Sequence, residues 1–182
     1  MERLYGDIKE AIPSKCTKPL GREVDLRMFV ESDHTTDETT RRSRTGYFIY
    51  VNLALVNWLS KKQATIETSA FGAEFVAMKQ GMEAVRGLRY KLRIMGVRIS
   101  GPTYIYGENM SVIHNTQRPE PTLRKKSNSI CYDAVRESVA MGESLTGHIP
   151  TAENCVDLAT KIIPGVQKRD HLVGKLLFDI VD

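Results

Sequence analysis

The residue pattern predicts a single α/β domain in which a mixed sheet is flanked by helices. Three observations carry this expectation. Strand-period alternation begins at Val24, two runs of aromatic and β-branched residues follow it, and a long helical stripe starts near Ser69. Strands first, then helices interleaved with short strands, describe helices packed on the faces of one sheet. At 182 residues, 41% of them hydrophobic, the chain is long enough to bury one sizeable core.

Residues 1–22 hold Pro13 and Pro19 with no sustained periodicity, and read as an N-terminal extension or tether. Residues 23–165 form the expected domain, and 166–182 a C-terminal extension. In the first strand Val24, Leu26, Met28 and Val30 alternate with Asp25, Arg27, Phe29 and Glu31. "TGYFIYVN" and "LALVNWLSKK" are the next two strands, with Asn52 at the turn, so the three form an antiparallel meander. From Ser69 to about Met95, Phe71, Phe75, Met78, Met82, Val85, Leu92 and Met95 mark one face of a long helix stopped by Gly96. "GPTYIYGE" (101–108) is a fourth strand and "ESLTGHIPT" (143–151) a fifth. Shorter helices are expected from Asn109 to before Pro119, from Ser127 to Met141, and from after Asn154 to about Ile163.

The net charge of +4 permits a nucleic-acid partner without requiring one. Basic residues cluster at Arg41, Arg42 and Arg44, at Lys61 and Lys62, and at Arg124, Lys125 and Lys126, although such runs are commonly solvated faces. Cys16, Cys131 and Cys155 are odd in number and widely spaced, which supports neither a zinc site nor a disulfide framework. No apolar stretch approaches membrane-spanning length, and the N-terminus lacks signal-peptide features. An intracellular, reducing compartment, cytoplasm or nucleus, is the expectation, with no membrane partner.

Four carboxylates sit where carboxylates are costly or where ligands bind. Glu31 falls at the end of the first strand, inside "MFVESDHTTDE". Glu74 lies at the edge of the Phe71–Phe75–Met78 stripe, where a carboxylate needs a salt bridge, a path to solvent or a metal. Glu108 ends the fourth strand, an ordinary ligand position in α/β sheets, and also suits a helix N-terminus. Asp157 follows Asn154 by three residues, which alone reads equally well as a helix cap with its capping-box partner.

In this order of elements and acids, "TTRRSRTGYFIY", "WLSKKQATIETSAFGAEFVAM", "YIYGENMSVIHNTQRPE" and "HIPTAENCVDLATKIIPG" resemble the ribonuclease H domain of copia-type retrotransposon polyproteins. The resemblance runs from about Arg22 to Gly165. It implies a ribonuclease H-like fold, a five-stranded mixed sheet of three antiparallel strands and then parallel ones, with helices on both faces. It also implies that Glu31, Glu74, Glu108 and Asp157 are catalytic and hold two Mg²⁺ ions, with Mn²⁺ as a substitute. The implied activity is endonucleolytic cleavage of the RNA strand of RNA–DNA hybrids. Arg41, Arg42, Arg44, Lys61, Lys62, Gln63 and Asn109 become candidates for the nucleic-acid surface, and Ser111 with them.

The sequence also departs from the family. Glu31 and Glu108 stand where the family uses aspartate, Gly72 where it commonly has another glutamate, and Ser127-Asn128-Ser129 where it has His-x-Asp. The loop after the first acid reads His34-Thr35-Thr36. One extra methylene keeps charge but displaces the carboxylate, and misplacement by about 1 Å can cost roughly 10²-fold in rate. An active or impaired hydrolase therefore stands beside a catalytically decayed module that binds nucleic acid, or a domesticated structural subunit. A reverse transcriptase or a host protein assembly is the implied protein partner. With Met1 first and no polymerase segment ahead of the domain, a stand-alone chain is the expectation. Trp58 reads as core or groove packing rather than a base-stacking platform. His148 reads as structural before proton-carrying, His34 as a weak metal candidate, and Cys155 as an inert helix residue.

Overall fold

The computed structural model describes residues 21–35, 37–118 and 129–176. Cys16, Thr36, the Arg124–Lys126 cluster, Ser127 and Asn128 lie outside the described residues. Five strands, β1 (Leu26–Asp33), β2 (Arg44–Val51), β3 (Ala54–Lys62), β4 (Thr103–Gly107) and β5 (Ser144–His148), form one sheet in the order β3-β2-β1-β4-β5. The first three pair antiparallel, and β4 and β5 join in parallel. Parallel neighbours need a crossover. Here α1 (Ala70–Ile94) links β3 to β4, and α2 (Met110–Gln117) with α3 (Ser129–Ala140) links β4 to β5. A short α4 (Asp157–Thr160) and α5 (Val166–Leu176) follow.

β2 is buried on both faces, so the sheet has a core on each side. Tyr47 and Ile49 join Met28, Val30, Phe75, Met78, Met82 and Ile105 beneath α1 and α3. Phe48 and Tyr50 join Cys155 and Val156 on the opposite face, where Phe29, Ala159 and Leu176 pack on them. The alternation in β1 sends Leu26, Met28 and Val30 into the α1 side. Asn52 turns β2 into β3 with φ 55°, and its side-chain oxygen accepts from the Asp25 amide at 2.9 Å. α1 is capped by Ser69, whose hydroxyl accepts from the Gly72 amide at 3.2 Å. α2 is capped by Asn109, whose carbonyl oxygen accepts from the Ser111 and Val112 amides.

Three expectations need correction. β3 is an edge strand, and Trp58, opposite Phe48, is 65% exposed instead of packed in core or groove. The last expected helix shrinks to four residues. Asn154 does not cap it but accepts from the Val156 amide at 3.2 Å in the preceding turn, Val156 takes the cap position with no side-chain bond, and Lys161 is extended. Pro164 also disfavours helical Ile163. Cys155 consequently lies in that turn instead of a helix, buried, its thiol 3.9 Å from the Tyr50 hydroxyl.

Gly46 decides where α4 can lie. A Cβ there would stand 2.5 Å from Thr160 Cγ2 and 2.7 Å from Val156 Cγ1, both on stiff β-branched side chains. Gly46 is also the register partner of Glu31. The missing side chain thus lets α4 rest on the sheet directly beside Glu31. Gly46→Val should destabilise the fold by about 1–3 kcal/mol, the usual cost of overpacking. Chemical denaturation measures it, and an unchanged midpoint would remove this role from Gly46.

Candidate metal centre

Register explains how distant acids meet. β1 and β4 run parallel with Phe29 level with Tyr106, so Glu31 and Glu108, each two residues further on, reach the same edge of the sheet. α4 packs on the sheet face beside that end, over β1 and β2, and supplies Asp157. Carboxylate oxygens of Glu31, Glu108 and Asp157 all lie within 4.8 Å of one another. Glu74 enters from the first turns of α1, 8% exposed, and interacts electrostatically with Glu31 and Glu108. All four acids named from sequence therefore occupy one region, with three converging closely.

Their surroundings differ. Both oxygens of Glu31 are taken: Thr160 Oγ1 donates to Oε2 at 2.5 Å, and the Lys161 ammonium pairs with Oε1. Asp157 is fully buried, and its two oxygens accept from Lys161 Nζ at 2.8 Å and Lys168 Nζ at 2.7 Å. Glu108 Oε1 is buried without a hydrogen-bond partner among the described residues. Burial pushes the Glu74 carboxyl up to about 8, with the Glu31 charge adding to it. Glu31 is likewise raised, to about 7, by burial, against the opposing pull of Lys161 and Thr160. Burial alone would raise Asp157, but the hydrogen bonds from Lys161 and Lys168 outweigh it and hold that carboxyl below its ordinary range.

A set of converging carboxylates with one buried, unpartnered oxygen matches the hard oxygen donors that Mg²⁺ and Mn²⁺ prefer. The donor set fits a divalent ion. Thr160, Lys161 and Lys168 were not among the expected site residues. Lys161 carries a weak signal, since it follows Asp157 by four residues as helical ion pairs do. Lys168 belongs to a separate helix and carries none.

The candidate nucleic-acid residues divide. Arg42, Arg44 and Lys62 line a cavity of about 480 Å³ beside the acids, shared with Asp33, Asp37, Glu38, Thr160 and Lys161. Lys62 is paired with Asp37, and Arg44 donates to Ser60 Oγ at 3.2 Å. That pairing with Lys62 holds the Asp37 carboxyl well below the usual range. Arg41 and Lys61 are exposed. Gln63 is not a surface reader. It is fully buried, its amide donating to Ser32 Oγ, Thr45 Oγ1 and the Ala73 carbonyl, because the start of α1 covers the end of β3. Asn109 keeps a capping role at the edge that carries Glu108. His34 donates its ring nitrogen to the Glu67 carbonyl at 3.1 Å, and His148 is exposed at the end of β5, level with Gly107.

The strand order and the acids at one sheet edge define a ribonuclease H-like fold. Solved structures agree. LC11-RNase H1 in complex with RNA/DNA hybrid superposes with a TM-score of 0.58 at 13% identity, covering 75% of this chain and 94% of that one. RNase H1 from Halobacterium salinarum gives 0.56 at 12% identity, covering 75% and 94%. The foamy viral protease-reverse transcriptase in complex with RNA/DNA hybrid gives 0.52 at 15% identity, covering 85% of this chain and 22% of that one.

No family profile matches the chain. By sequence it is 26% identical over 141 residues to the retrovirus-related Pol polyprotein from transposon RE1 of Arabidopsis thaliana, covering 78% of this chain and 10% of the relative. It is 26% identical over 144 residues to that from transposon TNT 1-94 of Nicotiana tabacum, covering 79% and 11%. The chain has a ribonuclease H-like fold and is homologous in sequence to copia-type retrotransposon Pol polyproteins. It spans about a tenth of the length of these relatives.

Burial of Glu74 has a measurable consequence. Its folded-state value near 8 exceeds the ordinary 4.5, so the folded protein binds this proton more tightly than the unfolded chain does. Stability of the metal-free protein should therefore fall as pH rises between those values and level off above them. Glu74→Gln should reduce that slope and leave the part that Glu31, likewise raised, contributes up to about 7. Denaturation midpoints across this range test it, and an equal slope in both proteins would place the buried charge elsewhere.

Proposed function

We propose that this domain is a retroelement-derived, divalent-metal-dependent endonuclease that cuts the RNA strand of RNA–DNA hybrids, with activity impaired by its site. One observation carries the reading: Glu31, Glu108 and Asp157 converge at the strand-end edge of a ribonuclease H-like sheet. The relatives add support, since similar folds include one solved with an RNA/DNA hybrid and one that belongs to a protease-reverse transcriptase.

In this reading Glu31, Glu74, Glu108 and Asp157 hold two Mg²⁺ or Mn²⁺ ions. When bound, such ions supply positive charge that polarises the scissile phosphate and makes the attacking water more acidic. The protein's share is positional. Glu31 and Glu108 offer oxygens from adjacent strands, Asp157 offers one from α4, and Glu74, which burial favours in its protonated form, must lose its proton to contribute as an anion. Arg42, Arg44 and Lys62 border the neighbouring cavity and would take backbone phosphates of the hybrid. This reading goes with an intracellular setting, cytoplasm or nucleus, and with a reverse transcriptase or a host assembly as a further partner.

A second reading, a nucleic-acid-binding or structural module without catalysis, is favoured by the saturation of Glu31 and Asp157 by Thr160, Lys161 and Lys168. Incubation with an RNA–DNA hybrid labelled on the RNA strand separates the two. The endonuclease reading expects RNA cleavage, faster with Mn²⁺ than with Mg²⁺ because Mn²⁺ tolerates looser geometry. Asp157→Asn should lower the rate by about 10²-fold, the scale of losing one charge contact in a transition state. Faster cutting by the Glu31→Asp, Glu108→Asp double variant would assign the impairment to the added methylenes. Salt-sensitive hybrid binding with no product under either metal would instead establish the binding module.

A further inference from the structure

The Lys161 ammonium sits between Glu31 and Asp157, pairing with an oxygen of each, and Lys168 closes the second oxygen of Asp157. Asp157 is completely buried, so neither of its oxygens is left to solvent. Glu108 differs, with a buried oxygen that no described residue satisfies. The cluster is thus asymmetric, occupied by protein cations on the Glu31–Asp157 side and without a described protein cation on the Glu108 side.

An ammonium and a divalent ion cannot share the same two oxygens. Mg²⁺ draws its ligands to about 2.0–2.1 Å, whereas Lys161 Nζ stands 2.8 Å from Asp157 Oδ1. Both cations would then lie within a few ångströms of each other with charges that repel. Moving the lysines aside is mechanically feasible. Lys161 begins the irregular stretch before α5, its side chain 34% exposed, and the side chain of Lys168 is 44% exposed.

We infer that Lys161 and Lys168 are built-in counter-cations that guard one of two metal positions. A divalent ion loads at the Glu108 side without displacing either lysine, and loads between Glu31 and Asp157 only when these lysines are displaced. The inference deepens the metal-dependent reading of this site and rests on it. It adds a residue pair that sets the order of loading. A partner or substrate whose phosphates draw the two ammonium groups outward would open the guarded position, which makes a bound polyanion the natural trigger.

Mn²⁺ binding to the full chain, followed by the paramagnetic resonance signal of the free ion, tests this without reference to cleavage. The wild type should show one stronger site and one weaker site. Apparent affinity is the intrinsic affinity reduced by the fraction of molecules with the site open, so Lys168→Met and Lys161→Met should each tighten the weaker site by about tenfold or more. Lys161→Arg, which keeps the cation, should leave it weak. Two equal sites in the wild type, a weaker site unmoved in both Met variants, or no Mn²⁺ bound by any form would overturn the inference.

Lys161→Met strands two carboxylates and risks misfolding, so a measurement on the wild type stands beside it. Limiting acetic anhydride with peptide mapping should acetylate Lys161 and Lys168 several-fold faster in saturating Mn²⁺ than without it. Equal labelling would also sink the idea. Normal two-step binding without RNA cleavage would remove the endonuclease reading and leave the guard intact. Cleavage with equal, lysine-independent sites would do the reverse.

Discussion

The Lys161 ammonium lies between two buried carboxylates whose positions are separated by most of the chain, Glu31 on β1 and Asp157 on α4. Without a cation these acids would oppose the packing that brings them together. At an effective dielectric near 20, two charges roughly 5 Å apart repel by about 3 kcal/mol, while each ammonium–carboxylate contact near 3 Å is worth about 5 kcal/mol. Two attractions thus exceed one repulsion, and the α4 segment can sit on the sheet with its acid inward. Removing the cation would leave Glu31 with only the Thr160 hydroxyl and Asp157 with only Lys168, so the loss stays below the roughly 3–5 kcal/mol of a fully unpaired buried charge.

That electrostatic arrangement depends on an apolar one. α4 is one turn long and has no side-chain cap, so it cannot hold its own position. Val156, Cys155 and Ala159 anchor it against Phe48 and Tyr50, and Gly46 leaves the space into which Val156 and Thr160 fit. Leu172, fully buried on α5, and Lys168 one helical turn before it tie the following helix to the same place. A sheet with a core on each face therefore serves the site twice. The α1 side supplies Glu74, and the opposite side supplies Asp157 with its cations.

Much of this is legible in the sequence, for identifiable reasons. Strand alternation in β1 and the Phe71-to-Leu92 stripe report burial directly, because side-chain direction follows the backbone period. Glu74 stands out because it breaks such a stripe. Gln63 and Trp58 mislead for the opposite reason. "LALVNWLSKKQ" has the composition of an inner strand, and nothing local says that β3 is the sheet edge or that α1 folds over its end. So the aromatic residue is outside and the amide is inside. Lys168 is equally silent, and Lys161 is signalled only by its spacing of four from Asp157, since the meeting of Lys168 with Asp157 is set by how residues 161–165 redirect the chain after α4.

The glutamate at position 31 acquires a physical meaning beside those lysines. An aspartate there would draw the carboxylate back toward β1 by about one C–C bond, roughly 1.5 Å. A 2.5 Å bond from Thr160 and the shared Lys161 contact leave no slack for that withdrawal unless α4 follows. Gly46 already lets α4 approach as closely as its side chains allow, since Val156 and Thr160 fill the space above it. The longer acid therefore spans a gap that the helix cannot close. The extra methylene that lengthens this acid is thus the methylene that reaches the protein's own cation, and the residue at position 31 serves the stability of the α4 contact.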